Sequence, residues 1–401
     1  MARTKAVLGA GTRLSDFISA SLLARVYPLP MVKEVLETHG CSSQRIRRFP
    51  ATVGVYYCMA LSLYPEAAYE DVFSAIADGV AWMQGDPAGP RVAKSSISAL
   101  RGKIGAAPLQ ALQQRACVPL AQAKRHPEAF YAGLRVVAID GSNLDVPDEA
   151  ENVAAFGYPG SRAGHAGYPQ ARCAILVECA THAIIAANLG AYRASEWAIC
   201  TPLLAALGPG MLCLADRGFN GYAHWQAASQ TGADLLWRCT SARRLPVVKA
   251  LADGSYLSVI RPSSSRYRGE SIAVRVIDYS LPGLPNSQPR YRLLTTLLDH
   301  KRAPAMELAA LYHQRWEVEA VFDELKTHLH QRRRSLRSKT AEGVRQEFYG
   351  WVMAHYAVRW LMHEAASAHR VRHRSLSFTA NVQLIRRAQP QSGAFPPSAT
   401  T

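Results

Sequence analysis

Hydrophobic and polar positions change period once along this chain. Up to about residue 125 the apolar residues recur at helical spacing, in DFISASLLARVY behind Ser15, in MVKEVLETHG, which ends at Gly40, and in YEDVFSAIADGVAWM. Between them ATVGVYYCMALSLY is apolar nearly all the way round, which predicts a buried helix. VAKSSISALRGKIG predicts a short helix behind Ser95 and Ser96 that carries Arg101 and Lys103. It reads equally well as the recognition helix of a helix-turn-helix-like unit and as an ordinary capped surface helix.

From Leu134 the runs become short and apolar, beginning with a β-branched one. LRVVAID ends on Asp140, ARCAILVECA and HAIIAANL follow, and after a helix over SEWAICTPLLAAL comes GMLCLAD, ending on Asp216, then a helix and ADLLWRC. These predict buried strands, two of which deliver a carboxylate at the C-terminal end. The glycine-rich connection AFGYPGSRAGHAGYPQ has no GK[ST] and opens no GxGxxG helix, so it is expected to be a flexible link and not a phosphate cradle. Residues 240–299 alternate as strands do, with Pro and Ser between the segments, and predict a β-rich insertion. Residues 304–329 open with a proline and hold no glycine or second proline, which predicts one long helix. A second apolar helix over about 341–369 and a basic, Pro- and Ser-containing tail complete the chain.

On that long helix, at about 100° per residue, Arg315 falls near ~300° from Tyr312, Glu319 near ~340° and Lys326 near ~320°. The four share a narrow polar stripe beside an apolar face of Val318, Val321, Phe322 and Leu325. Helix geometry alone favours the plainer reading, an amphipathic surface helix with Glu and Lys placed for solubility. Composition adds weight to the other side: Lys and Arg number 46 against 30 Asp and Glu, a net charge of +16. Such an imbalance suits a polyanionic partner, although an acidic membrane surface would also attract it. The longest apolar run, residues 51–64, is broken by Thr and Gly and too short to span a bilayer, so no membrane insertion is expected. Arg45, Arg47 and Arg48 form a basic cluster that is either solvated or set against phosphates. The eight cysteines include no CxxC pair and suit buried free thiols in a reducing cytosol; no leader sequence is expected from the first residues.

Three carboxylates therefore stand out: Asp140, Asp216 and Glu319. An Asp at a strand end is more often a turn or cap residue than a ligand when taken singly. Together the three acids fit one mechanism, in which two Mg²⁺ ions held by carboxylates drive an in-line displacement at phosphorus.

The spacing YxxRxxxExxxxxxK, carried by Tyr312, Arg315, Glu319 and Lys326, resembles the signature of the bacterial cut-and-paste transposases of the insertion sequence 4 family. VVAIDGSNLDVP around Asp140 and LADRGFNGY around Asp216 resemble that family's two acidic motifs. So do RLSDFISASLLARVYPLPMVKEVL near the start and LRSKTAEGVRQEFYGWVMAHYAVRWLMHEA near the end, so the resemblance covers nearly the whole chain. It implies an α/β fold, a ribonuclease-H-like catalytic core with a β-rich insertion, preceded by an all-helical N-terminal domain. The corresponding segments are a DNA-binding domain over 1–128, the first part of the core over 129–239, the insertion over 240–300, the second part with the catalytic helix over 301–370, and the basic tail over 371–401. It further implies Asp140, Asp216 and Glu319 as catalytic ligands of two Mg²⁺ ions, for which Mn²⁺ can substitute, and Tyr312, Arg315 and Lys326 as DNA-binding residues. The implied partners are double-stranded DNA, both terminal inverted repeats and target, and a second copy of the chain in a homodimer; the implied setting is the bacterial cytoplasm, at the nucleoid. In relatives that excise through a hairpin an aromatic side chain stacks on a flipped base, and Trp237 and Tyr291 are the candidates in this sequence. A ribonuclease-H-like nuclease without strand transfer, and a decayed or domesticated copy that only binds DNA, are the competing readings.

Overall fold

The computed structural model describes residues 19–43, 49–73, 76, 92–160, 167–219, 221–262, 271–280, 289–329, 335–371 and 375–387. The basic cluster Arg45, Arg47 and Arg48, part of the glycine-rich connection and the tail beyond 387 lie outside the described residues. The chain divides into two compact units that do not follow its order. One comprises residues 119–143 and 172–321, the other 1–118, 144–171 and 322–401. This division falls between 118 and 119, whereas the sequence suggested a boundary between 128 and 129.

The first unit is built on a sheet whose strands are β1 (Phe130–Tyr131), β2 (Leu134–Asp145), β3 (Gln170–Glu178), β4 (Ala183–Ala191), β5 (Met211–Ala215), β6 (Asp234–Cys239), β7 (Lys249–Ala250), β8 (Tyr256–Ile260), β9 (Ile272–Tyr279) and β10 (Tyr291–Thr295). Their order is β4-β3-β2-β5-β6-β10-β9-β8-β7, with β1 on β2. The first five in that order form the expected α/β core: β2, β5 and β6 are parallel neighbours, and β3 joins β4 through residues 179–182, too short a link for a crossover. The insertion does not stand apart. Its strands continue the same sheet, with β10 antiparallel to β6, β9 to β10 and β8 to β9. Strand β2 also runs past Asp140, where the sequence suggested it would stop, and the buried run Val136 to Ile139 gives way to half-buried positions at Asp140, Gly141 and Ser142.

The insertion also holds the start of the helical segment that carries Glu319. Arg275 is fully buried in β9 and donates to Asp253, Ser255 and the Ala303 carbonyl. Asp253 Oδ2 in turn accepts the Ala305 N–H at 2.9 Å, satisfying an otherwise orphaned donor at the start of the helix Ala305–Tyr312.

Residues 305–329 do not form one uniform α-helix. The helix Ala305–Tyr312 tightens into a 3₁₀ turn over His313–Trp316, resumes as α over Glu317–Asp323 and widens into a π turn over Glu324–Leu329. A 3₁₀ turn advances more than 100° per residue and a π turn less, so the single stripe drawn at constant pitch does not survive. The helix over SEWAICTPLLAAL is likewise divided, into Glu196–Cys200, capped by Ser195 Oγ on the Ala198 N–H at 3.2 Å, and a 3₁₀ stretch Thr201–Ala206. Pro202 lacks the N–H that a continued α-helix would need there.

In the second unit the all-apolar helix Ala51–Leu63 is buried as its sequence requires, and it packs on the long helix Ala341–His369. The two backbones meet at Gly350, where a Cβ would stand 2.3 Å from the Cys58 carbonyl oxygen. Arg101 is not on a DNA-facing surface. It is buried, and its guanidinium donates to Ser338 Oγ at 2.9 Å and to the Gly343 carbonyl at 3.2 Å, so the helix Lys94–Ile104 uses it to dock on the start of the long helix. Glu324, the first residue of the π turn, is buried against Arg359 and His355 of that same long helix, at 3.0 Å from Arg359 Nε and 2.8 Å from His355 Nε2. The eight cysteines are free thiols, all buried except Cys41. Among the described residues no helix is long and apolar enough to cross a membrane.

Candidate active site

The parallel register pairs Val136 with Leu212, Val137 with Cys213 and Ala138 with Leu214. Carried two residues further, it sets Asp140 beside Asp216, each just past the deeply buried part of its strand. Both carboxylates bend back onto the glycine that follows: the Gly141 N–H donates to Asp140 Oδ1 at 2.8 Å, and the Gly218 N–H to Asp216 Oδ1 at 2.7 Å. Burial pushes the Asp140 carboxyl up to about 6, opposed by the Gly141 N–H and Arg315 and assisted by the like charges of Asp216 and Glu196.

Glu319 joins them from the helix Glu317–Asp323. Arg315, on the 3₁₀ turn, is the link, with Nη1 3.2 Å from Asp140 Oδ2 and Nη2 2.9 Å from Glu319 Oε1. Arg315 is itself buried, whereas the Glu319 side chain is 45% exposed and open to an incoming ligand. Two further contacts fix this helical segment to the sheet: the Tyr312 hydroxyl donates to the Ala215 carbonyl at 3.2 Å, and His182, in the turn between β3 and β4, lies 2.8 Å from Glu317 Oε2.

The six residues singled out in the sequence are therefore not equivalent. Asp140, Asp216, Arg315 and Glu319 come together. Tyr312 is only 4% exposed and faces the end of β5, not solvent. Burial raises its hydroxyl well above the ordinary phenol range. Lys326 belongs to the second unit, where its Nζ lies 5.6 Å from the centre of the Phe322 ring. Of the two aromatic candidates, Trp237 is ruled out as a base-stacking residue. It is 1% exposed and packs against Trp225 and Phe219 in the core. Tyr291 stacks on Tyr279 at 5.3 Å and lies under the Arg238 guanidinium at 4.9 Å. Arg238, Arg217 and Arg290 line a cavity of about 570 Å³ together with Thr240 and Ser241. Three cationic forks and two hydroxyl groups make it a phosphate-binding chemistry, and Arg217 directly follows Asp216.

A family model described as "Transposase DDE domain" matches residues 131–357, and one described as "Insertion element 4 transposase N-terminal" matches residues 17–114. The chain belongs to the DDE transposases of the insertion sequence 4 family. It is 26% identical over 362 residues to the transposase InsG for insertion sequence element IS4 of Escherichia coli (strain K12), covering 88% of this chain and 76% of that one. It is 26% identical over 220 residues to the putative transposase InsZ of the same strain, covering 55% of this chain and 71% of that one. Among solved structures, the piggyBac transposase synaptic complex with hairpin DNA matches with a TM-score of 0.47 and 11% identity, over 92% of this chain and 80% of that one.

This transposase is thus an enzyme acting on DNA, and a DDE domain implies a divalent metal. Among the described residues no three acid, histidine or cysteine side chains are gathered tightly enough to enclose an ion. Arg315 stands between two of the acids instead, a side-chain cation in a place that suits a metal's charge. The donor set is all carboxylate oxygen, the kind that hard cations select, so the residues fit the group. One acid of this transposase escaped the sequence reading. Glu196, in the first turn of its helix, is near enough to Asp140 and Asp216 for their charges to interact. Its signal was faint: an acid behind a Ser cap, which every amphipathic helix can carry.

Proposed function

We propose that this transposase excises its own insertion sequence and joins it to new DNA, with Asp140, Asp216 and Glu319 holding two Mg²⁺ ions. The gathering of acids from β2, β5 and the helical segment around Arg315 is the observation that carries this reading. When bound, the cations supply Lewis acidity, activating a water or a 3′ hydroxyl and stabilising the leaving oxygen of an in-line displacement at phosphorus.

The chain's own residues do the rest. Asp140 presents its carboxylate in deprotonated form, which in the metal-free protein requires a pH above about 6. Arg315 neutralises Asp140 and Glu319, and its planar fork would be available to a DNA phosphate were those acids holding cations. Tyr312 props the end of β5 behind Asp216, and Lys326, in the second unit, binds DNA phosphate. Arg217, Arg238 and Arg290 hold DNA phosphate in the cavity they line, next in the chain to Asp216. The N-terminal helices bind the terminal repeats, two copies pair the two ends, and the protein acts at the bacterial nucleoid. The excess of 16 positive charges supports a polyanionic partner for all of these surfaces.

The deciding experiment is Mg²⁺-dependent cleavage of a labelled duplex carrying the element's flanking repeat, with Glu319→Ala purified in parallel. Cleavage at the repeat boundary by the wild type alone is expected, together with a product in which the freed 3′ end is joined to target DNA. Cleavage without joining would reduce the activity to that of a nuclease. Binding without cleavage by either protein would make the chain a DNA-binding relic.

A further inference from the structure

Gly141 and Gly218 follow the two strand-end acids by one and two positions, and one side chain occupies the space beside both. Glu196 Oε1 lies 2.7 Å from where a Cβ on Gly141 would stand. Glu196 Oε2 lies 3.3 Å from the corresponding point on Gly218, with Asp216 Oδ1 3.0 Å from that same point. The N–H groups of these glycines are the ones given to Asp140 and Asp216. One carboxylate thus lies against the backbone at both glycines, oxygen by oxygen, and it does so only because neither position carries a side chain. Among the described residues no donor gives a hydrogen bond to either Glu196 oxygen; Arg172 is the cation whose charge offsets its burial, and Asp216 is the like charge beside it.

We propose that Glu196 is a fourth carboxylate of the metal site, supplying oxygen to the cation that Asp140 and Asp216 share. The proposal rests on the reading of those two residues as metal ligands and extends it to a residue outside the three acids. The like charges of three neighbouring carboxylates repel, and a divalent cation among them would reverse that balance. The glycines at 141 and 218 then have a stated purpose, leaving room for the third carboxylate to reach both strand ends.

The test is Mn²⁺ binding to the full-length protein by titration calorimetry, with melting curves in chelator as a second readout. Asp140→Asn is expected to lose the site, and Glu196→Gln to weaken Mn²⁺ by about tenfold or more. Gly141→Ala is expected to weaken it similarly by displacing the Glu196 carboxylate, and serves in place of Glu196→Gln if that variant fails to fold. In chelator Glu196→Gln is expected to melt no lower than wild type, since one of three like charges has gone. Wild-type Mn²⁺ affinity in both Glu196→Gln and Gly141→Ala, with Asp140→Asn impaired, would overturn the role of Glu196 and leave the metal site standing. A lower melting temperature for Glu196→Gln with unchanged Mn²⁺ affinity would make Glu196 a residue of the fold. Unchanged affinity in Asp140→Asn would overturn the reading of the site itself.

Discussion

Arg315 and Asp140 are joined by a 3.2 Å ion pair across the candidate site, and the same guanidinium reaches Glu319 at 2.9 Å. A cation already bonded to two of the acids competes with any cation that would replace it. Arg315→Ala is therefore expected to need less Mg²⁺ for half-maximal DNA cleavage, while its maximal rate falls for want of a phosphate contact. The shift should be roughly tenfold, the worth of one charge-assisted hydrogen bond at about 1.5 kcal/mol. An Mg²⁺ requirement equal to that of wild type would mean that Arg315 does not stand in the metal's place.

Asp140 makes a second prediction through pH. Its folded-state carboxyl sits at about 6, above its value in an unfolded chain, with burial as the main cause. The folded protein therefore holds the proton more tightly than the unfolded one, and stability is lost as pH rises through the interval from about 4 to about 6. Asp140→Asn removes that loss. In metal-free buffer the variant should be more stable than wild type at pH 8, by at most about 3 kcal/mol, and should show no such advantage below about pH 4. Melting curves across this range check it, and a stability difference independent of pH would disprove the raised value.

The parts of this architecture fixed by local pattern were readable in advance. The short apolar runs gave β2 and β5, and both place an acid where the buried run ends. The uniformly apolar run gave the buried helix Ala51–Leu63. What could not be read depended on partners distant in sequence. The changes of pitch between residues 305 and 329 accompany contacts that a helical wheel does not contain: Tyr312 to Ala215, Arg315 to Asp140, and Glu324 to Arg359. Trp237 lies at the edge of the insertion in sequence, yet its strand is central in the sheet, so its ring is buried. Arg101 has a surface residue's chemistry, and only the docking of its helix on Gly343 and Ser338 makes it internal. Glu196 has no local signature for the same reason, because two glycines remote from it in the chain define the space it fills.

Gly350 supplies a prediction about stability alone. Its missing side chain lets the helix Ala341–His369 lie against the Cys58 carbonyl, and a Cβ at 2.3 Å would meet backbone, which cannot swing aside. Gly350→Ala gains helix propensity, worth under about 1 kcal/mol, and loses the close approach, which typically costs about 1–3 kcal/mol or more in a packed core. The loss should win. Urea denaturation is expected to show a lower midpoint with an unchanged slope, and an equal or higher midpoint would mean that the helices separate without penalty.

The cavity lined by Arg217, Arg238 and Arg290 gives the last prediction, on DNA binding. A guanidinium paired with phosphate releases condensed counterions, so affinity falls with salt by a slope of about 0.9 per phosphate neutralised on duplex DNA. Arg217→Ala and Arg290→Ala should each weaken end binding and each reduce that slope by about one, with the double variant reducing it by about two. Neither residue is expected to alter the Mg²⁺ requirement, since, unlike Arg315, neither is paired with Asp140, Asp216 or Glu319. Arg238 is a poorer probe, because its guanidinium also covers the Tyr291 ring and its removal would disturb the stack on Tyr279. Binding isotherms for the terminal-repeat duplex, measured from low to moderate salt, decide the matter. Parallel salt dependences for wild type and both variants would exclude this cavity from the path of the DNA, whatever the loss in affinity at any one salt concentration.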